Sequence, residues 1–516
     1  MALLPDDANI EGAQDDDEAP PPVSGEAVAT IPARRLFRTI VPPIVLPVFL
    51  AAADATVVAT ALPAIAASFG EVERLSWLVI ANLIASTVAA PAYGRLADLF
   101  GRRPAMNAAL IVFMAASLAC AFAPGFEALL AARVFQGLGG GGLMTLAQAL
   151  IGEFVPARER GSYQGYLSAN IVAGAAFGPI AGGYLTEHFG WQSIFLAYLP
   201  LCAIAIGLVL RVPKSMGTRG LGGGFDALGL ILLTCFVVPL LLAVSQLQRM
   251  TPAMAPRLAL LLALAATGCA ALLWQQQRTT APILALRLLK HPAFWRADIM
   301  AACSGGALTA MMTFLPLYLQ AVMGATAGET GLLLMPLSVS VSSGSVVTGW
   351  LISRTGRLAV FPMVGLTVTA MTMAWLAYSA AGLSRMEMSW MLALAGICQG
   401  TGMLTAQIVV QKVAGPRYLG AAAASAQLAR SLGSAFGAAA AGSVLFGLLS
   451  MRNPDSAALF LDMVRHGTGA LAALPEANQS VARGDIAHAF SGVFLLVAAI
   501  SCVSVAMSST MNVRNL

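Results

Sequence analysis

Gly94-Arg95-Leu96-Ala97-Asp98-Leu99-Phe100-Gly101-Arg102-Arg103 is the stretch whose reading organises the rest of the chain. Apolar runs flank it, near 75–93 and 104–123, each close to the roughly 20 residues a helix needs to cross the hydrocarbon of a bilayer. A two-glycine turn with one acid and three arginines suits a tight connection between two such helices. Asp98 can cap or pair across helix ends, and the arginines hold the turn at the membrane face. Working outward, further runs fall near 39–61, 128–150, 163–185, 194–211 and 227–245, then 258–274, 298–322, 329–352, 360–381, 388–411, 419–449 and 486–509. The predicted fold class is therefore an all-α polytopic membrane protein with 14 transmembrane helices.

Composition agrees. Of 516 residues, 58% are hydrophobic and 10% charged, against about 25% charged in soluble domains. So few charges cannot coat a water-exposed surface of this size, which excludes an aqueous globular enzyme. The seven cysteines stand singly in apolar runs, with no CxxC pair to suggest a zinc site or a disulfide framework. Residues 1–30 hold eight acids, four prolines and no Lys or Arg, so the segment reads as a disordered acidic tail and not as a signal peptide.

Sorting the charges orients the chain. With the N-terminus cytoplasmic, 20 of the 29 Lys and Arg residues fall on the inside, seven fall outside and two lie within spans. This bias is the positive-inside pattern, and it places both termini in the cytoplasm. The two exceptions, Arg133 and Arg430, share the membrane interior with one acid, Asp54. A charge at the bilayer centre costs about 2.5–3.5 kcal/mol on insertion scales, so it should face the bundle interior and find a partner. Asp54 lies about 22 Å into the first span at 1.5 Å per residue, and Arg133, in the fourth span, lies at nearly the same depth. The two can therefore pair, whether for helix packing or for proton coupling. Arg430 lies near the midplane of its span, where it could contact an anionic substrate or cap backbone carbonyls.

Glycines carry the remaining patterns. Gly137-Leu138-Gly139-Gly140-Gly141-Gly142 matches GxGxxG literally, but it sits inside a span with no βαβ unit around it. Close helix packing explains it better. In the fifth span Gly174, Gly178 and Gly182 recur every four residues beside Pro179 and Gly183, a smooth stripe on which another helix can lie. Late in the chain, Gly349-Trp350-Leu351-Ile352-Ser353-Arg354-Thr355-Gly356-Arg357 repeats the first loop without its acid. Two halves with a repeated loop suggest a pseudo-symmetric transporter.

These residues carry a family resemblance. The Gly94–Arg103 loop, with Gly94, Asp98, Gly101, Arg102 and Arg103 in place, resembles the signature loop of the major facilitator superfamily. The run Gly174–Gly183 resembles the antiporter motif of its exporters. Together with Leu319–Gly324, Gly331, Pro336, Gly400–Gly402 and Gln427–Gly433 they resemble the 14-span drug:proton antiporter family (EmrB/QacA type) over roughly residues 37–510. The chain departs from that family at Ala59, where an Asn is usual, at Trp191-Gln192-Ser193 in place of Trp-Arg-Trp, and at Tyr198. It is thus expected to be a divergent branch.

The resemblance implies a major facilitator fold of two six-helix bundles plus two extra helices. The expected divisions are an acidic cytoplasmic tail over 1–36, an N-terminal bundle over 37–212, two linker helices over 213–280 and a C-terminal bundle over 281–516 with a long extracytoplasmic loop at 450–485. It implies proton-coupled export of small amphipathic compounds by alternating access, with Asp54 and Arg133 as the coupling pair. The expected location is the bacterial cytoplasmic membrane. No cofactor or metal is expected, because the proton gradient supplies the energy. Protons, a small-molecule substrate and the lipid bilayer are the expected partners, and some members of the family add a periplasmic adaptor and an outer-membrane channel. Nothing points to nucleic acid. Candidate cavity residues are Gln136, Asn170, Gln407, Gln411 and Arg430, with Met311, Met312 and Phe314 as adaptable apolar lining. A specific metabolite exporter or importer, or a non-transporting sensor, are the alternatives.

Overall fold

The computed structural model describes residues 33–70, 74–156, 159–213, 224–247, 254–279, 282–284, 286–415, 418–466 and 475–511. The acidic tail expected over 1–36 lies outside these residues except for its last four. In chain order the helices are α1 (Ala33–Phe69), α2 (Ser76–Phe100), α3 (Arg102–Ala121), α4 (Phe126–Phe154), α5 (Arg160–Phe189), α6 (Gln192–Leu196), α7 (Tyr198–Val209), α8 (Ala227–Leu247) and α9 (Ala255–Arg278). They continue with α10 (Leu286–Leu289), α11 (Pro292–Ala321), α12 (Ala327–Thr355), α13 (Val360–Ser379), α14 (Arg385–Ala414), α15 (Leu419–Arg452), α16 (Pro454–His466) and α17 (Glu476–Ser509).

Among the described residues, thirteen helical segments are long and apolar enough to cross a membrane. The fourteenth expected span lies in α5. That helix has 30 residues, but its glycines and polar side chains make it less apolar than the others. The expected sixth span is α6 and α7, which meet at Ala197. Helix α1 contains Pro42, Pro43, Pro47 and Pro63, which a bundle tolerates because neighbouring groups re-satisfy the freed carbonyls. Both α12 and α14 start with a capping box. Thr326 and Glu329 close one reciprocally, and Ser384 and Glu387 the other, satisfying amides that would otherwise lack acceptors.

Packing divides the chain. One apolar core draws on residues from Ile44 to Val212, and two more draw on residues from Ala293 to Met511. Within the first group α1 packs on α5 and α2 on α4; within the second, α11 packs on α15 and α12 on α14. The same pairing ten helices later is the structural counterpart of the repeated loop. Helices α8 and α9 share a smaller cluster with Val88 of α2 and Leu428 of α15, so they lean on the seam between the halves.

The connection expected as a loop over 450–485 is largely helical. Helix α15 runs on to Arg452, α16 follows at once and α17 begins at Glu476. Ala457, Phe460 and Met463 of α16 pack into the second-half core, and their i, i+3, i+6 spacing is a helical stripe that the unbroken apolar run Ala457–Leu461 obscures in the sequence. Asp485 pins the corner. It accepts from Arg452 Nε at 2.8 Å, Ser456 Oγ at 2.9 Å and Asn453 Nδ2 at 3.0 Å.

Candidate functional site

Asp54 of α1 and Arg133 of α4 form an ion pair inside the first half. The two residues are 3% and 1% exposed. One guanidinium nitrogen, Nη1, reaches both carboxylate oxygens, at 2.8 and 3.1 Å. The same nitrogen donates to Gln136 Oε1 at 2.6 Å, and Arg133 Nε donates to the Leu78 carbonyl at 3.4 Å. Gln136 in turn donates through Nε2 to Ser117 Oγ at 2.9 Å, while Asn82 Nδ2 donates to Asp54 Oδ2 at 3.3 Å. The charges are neutralised where they are least hydrated. Removing one partner of such a buried pair costs about 3–5 kcal/mol, because the survivor is left desolvated and unpaired.

Glycines make this network reachable. A Cβ on Gly137 would lie 2.5 Å from the Asn82 carbonyl oxygen, and one on Gly139 2.6 Å from the Phe113 amide nitrogen. Only glycine at these positions lets α2 and α3 come close enough for Asn82 and Ser117 to join α4. The run that mimics a nucleotide fingerprint is thus a packing surface. On the other side of α1, Gly174, Gly178 and Gly182 seat α5. A Cβ on Gly174 would lie 2.9 Å from the Phe49 carbonyl oxygen, one on Gly182 2.6 Å from Thr60 Oγ1, and one on Gly178 would collide with Thr56 Oγ1. Pro179 is exposed, and a Cβ on Gly183 would meet nothing within 4 Å, so neither belongs to the stripe.

A cavity of about 270 Å³ opens beside the pair, lined among others by Asp54, Val58, Asn82, Arg133, Met144 and, from the second half, Gln427. A much smaller cavity, about 20 Å³, lies between the halves. Gln148, Gln164, Gln407 and Arg430 line it.

The halves meet at the end that carries the Gly94–Arg103 loop. Asp98 accepts the Gly420 and Ala421 backbone amides at 3.1 and 3.2 Å, so it caps α15 from across the seam. Arg102 Nη2 lies 3.6 Å from Asp98, and its Nη1 lies 2.6 Å from Glu153. Gly101 turns with φ +93°, a conformation glycine adopts without the strain a Cβ brings. Gly94 faces Gly420, where a Cβ would lie 2.6 Å from the carbonyl oxygen. Arg103 reaches back to the Val212 carbonyl at 3.1 Å.

The other expected cavity residues separate into distinct places. Gln136 is fully buried in the ion-pair network. Asn170 donates to the Val45 carbonyl at 2.7 Å, tying α5 to α1. Gln411 donates to the Gln148 carbonyl across the seam at 3.0 Å. Gln407 and Arg430 do line a cavity, the small one. Arg430 donates to Gln427 Oε1 one turn back on its own helix, in place of the expected backbone carbonyls. Met311 and Phe314 are buried in the second-half core, and the half-buried Met312 packs against it. The sequence reading missed Asn82, Ser117 and Gln427, as well as Gln148 and Gln164. Lone amides on otherwise apolar spans were the available signal. Asp54 is the one acid expected deep in a span, and Asp98, Asp226, Asp298 and Asp485, nearer helix ends, are also withdrawn from water, at 3%, 8%, 9% and 7% exposed.

Residues 44–438 match the Major Facilitator Superfamily. The chain belongs to that superfamily. A protein called an uncharacterised MFS-type transporter from Mycobacterium tuberculosis (strain ATCC 25618 / H37Rv) is 30% identical over 412 residues, which cover 78% of this chain and 59% of that relative. The chain thus spans well under two thirds of that relative's length. The multidrug transporter protein MdtP of Bacillus subtilis (strain 168) is 29% identical over 404 residues, covering 78% of this chain and 74% of the relative. Among solved structures, the human organic anion transporter MFSD10 superposes with a TM-score of 0.63 at 14% identity, covering 93% of this chain and all of the other. That likeness is one of fold.

Proposed function

We propose that this facilitator-superfamily chain exports small amphipathic compounds by alternating access, driven by protons that titrate Asp54. The observation that carries this reading is the Asp54–Arg133 pair, sealed from water within the bundle yet forming part of a 270 Å³ cavity wall. The name of the Bacillus relative supports the multidrug character. The positive-inside bias puts the Gly94–Arg103 end in the cytoplasm. On that orientation both termini are cytoplasmic, and the contacts at Asp98 close the inner side.

An ion pair present in only one protonation state gives the two states different energies, which is what coupling requires. When Asp54 takes up a proton from outside, its bond to Arg133 loses its charge, and the arginine keeps only Gln136 and the Leu78 carbonyl. Moving a two-state equilibrium from 1:99 to 99:1 takes about 5.5 kcal/mol. Losing a buried partner supplies about 3–5 kcal/mol, so the proton does most of the work and substrate contacts the remainder. Release of the proton inside restores the pair and resets the cycle.

The test is Asp54→Asn in inverted membrane vesicles, across a chemically varied panel of compounds with and without a pH gradient. The expected result is loss of gradient-driven uptake, with the protein still expressed and able to bind. Full gradient-driven uptake by the variant overturns the assignment. Uptake of one compound alone by the unaltered protein would replace the multidrug reading with a specific exporter on the same fold.

A further inference from the structure

The two arginines inside the membrane are not equivalent. Arg133 has its acid, whereas no ion pair joins Arg430 among the described residues. Its guanidinium offers five N–H donors, and one hydrogen bond, to the neutral amide of Gln427, is found for it. Two more donors are unused close by. Gln164 Nε2 and Gln407 Nε2, on residues 3% and 9% exposed, have no acceptor. Both residues line the same small cavity as Arg430. Arg430 is half-buried; a partly desolvated cation with no acid beside it favours an anion, and the buried amide donors left unmade add a cost of their own. One acceptor without a partner, Gln148 Oε1, lines the same cavity, but the two amide donors and the guanidinium outnumber it, and the cluster lies between the halves, where substrate must pass on the export reading.

We propose that Arg430, Gln164 and Gln407 form a subsite for the acidic group of an amphipathic organic anion, a carboxylate or a sulfonate. This rests on the export reading above and narrows its substrate. The volume of about 20 Å³ has room for about one water, so the anionic group enters only as the halves move. Gln427 joins this subsite to the larger cavity, because it both accepts from Arg430 and lines the space beside Asp54. That larger space offers Val58, Leu83, Phe113 and Met144 to an apolar body. A ligand with rings in the one cavity and an acid displacing Gln427 from Arg430 satisfies both. A cationic compound would instead meet an uncompensated positive charge.

The test uses 8-anilino-1-naphthalenesulfonate and N-phenyl-1-naphthylamine, which differ by the sulfonate alone. Equilibrium binding to the purified full-length protein in lipid nanodiscs is read by fluorescence for the unaltered chain, Arg430→Gln and Gln407→Leu. The unaltered chain is expected to prefer the sulfonate. Arg430→Gln should reduce the sulfonate-to-amine affinity ratio about tenfold to a hundredfold, and Gln407→Leu about threefold to tenfold. An unchanged ratio in a variant that elutes like the parent on size exclusion overturns the proposal. So does an equal loss for both probes, which marks Arg430 as structural. If Arg430→Gln does not fold, Gln407→Leu decides by the same criterion. Binding needs no gradient, so a selective subsite without proton-driven uptake would sink only the coupling reading. Proton-driven uptake of the amine with no sulfonate preference would sink only the subsite.

Discussion

The two seams between the halves, α2 against α15 and α5 against α12, lie at the same end of the molecule and are held by different chemistry. At the first, Gly94 meets Gly420, and four residues on Asp98 caps the first turn of α15 with both oxygens. At the second, Gly349 meets Gly161, and four residues on Ser353 touches the Ser162 hydroxyl at 3.1 Å, at the start of α5. The two arrangements are copies. Each brings the end of a second-in-half helix against the first turn of a fifth-in-half helix. In the first copy the approach is secured by a carboxylate against the positive end of a helix dipole; in the second, the described contacts are close backbone packing, the Ser353–Ser162 hydroxyl contact and, further along, Ser342 Oγ donating to the Ser168 carbonyl at 3.3 Å. A carboxylate thus takes part in the first contact, while close backbone fit carries most of the second.

The largest effect is expected where the backbones approach most closely. A Cβ on Gly161 would stand 2.5 Å from the Gly349 carbonyl oxygen, and backbone cannot swing aside as a side chain can. Gly161→Leu should wedge α5 from α12, at the roughly 3 kcal/mol upper end of overpacking costs. The end that carries the Gly94–Arg103 loop would then stay open, and the proposed transport would fall below detection. Hydrogen exchange over 160–166 reports the opening directly. Near-normal exchange and transport in Gly161→Leu would show that this contact is not needed for closure.

The charged seam should yield less and more selectively. Asp98→Asn keeps the shape but removes the charge that faces the α15 dipole and Arg102. The expected loss is about 1–2 kcal/mol, which speeds exchange of the Gly420 and Ala421 amides about tenfold. The Gly161–Gly349 contact should be unaffected. If exchange speeds equally at both seams, the division between charge and fit fails.

This contrast could be read from the sequence only in part. The repeated loop and its missing acid were plain, because four-residue spacing on a helix end is local information. The Asp54–Arg133 pair was legible for a related reason. Two opposite charges at matched depth in hydrocarbon have few other solutions. What Asp98 caps was not legible, because Gly420 lies 322 residues away and a backbone amide leaves no mark in a residue pattern. Asn82, Gln148 and Gln164 escaped for the opposite reason. Amides on apolar spans serve packing as readily as a site, and only their placement around a cavity separates the two. Helix α16 was hidden because its apolar run, Ala457–Leu461, is far too short for a span and carries no visible periodicity until Phe460 has a core to enter.

The smallest expected effect is also the one that bears most closely on the comparison, because it restores what the second copy lacks. Ser353→Asp places a carboxylate four residues after Gly349, as Asp98 stands four after Gly94, facing the first turn of α5. An anion near a helix N-terminus stabilises by about 0.3–1 kcal/mol. Arg354 and Arg357 follow closely in sequence and are of the sign to favour it, as Arg102 favours Asp98. Exchange of the Ser162 and Tyr163 amides should then slow about twofold to fivefold. The chain should rest longer in the inner-closed state, so the turnover of export falls while binding persists. Raising the salt concentration should erase the gain, since a partly exposed charge is screened within about 8 Å at physiological ionic strength. Faster exchange in Ser353→Asp would mean that the second seam excludes charge because it must stay dry, and the copies would then differ in solvation rather than in one residue.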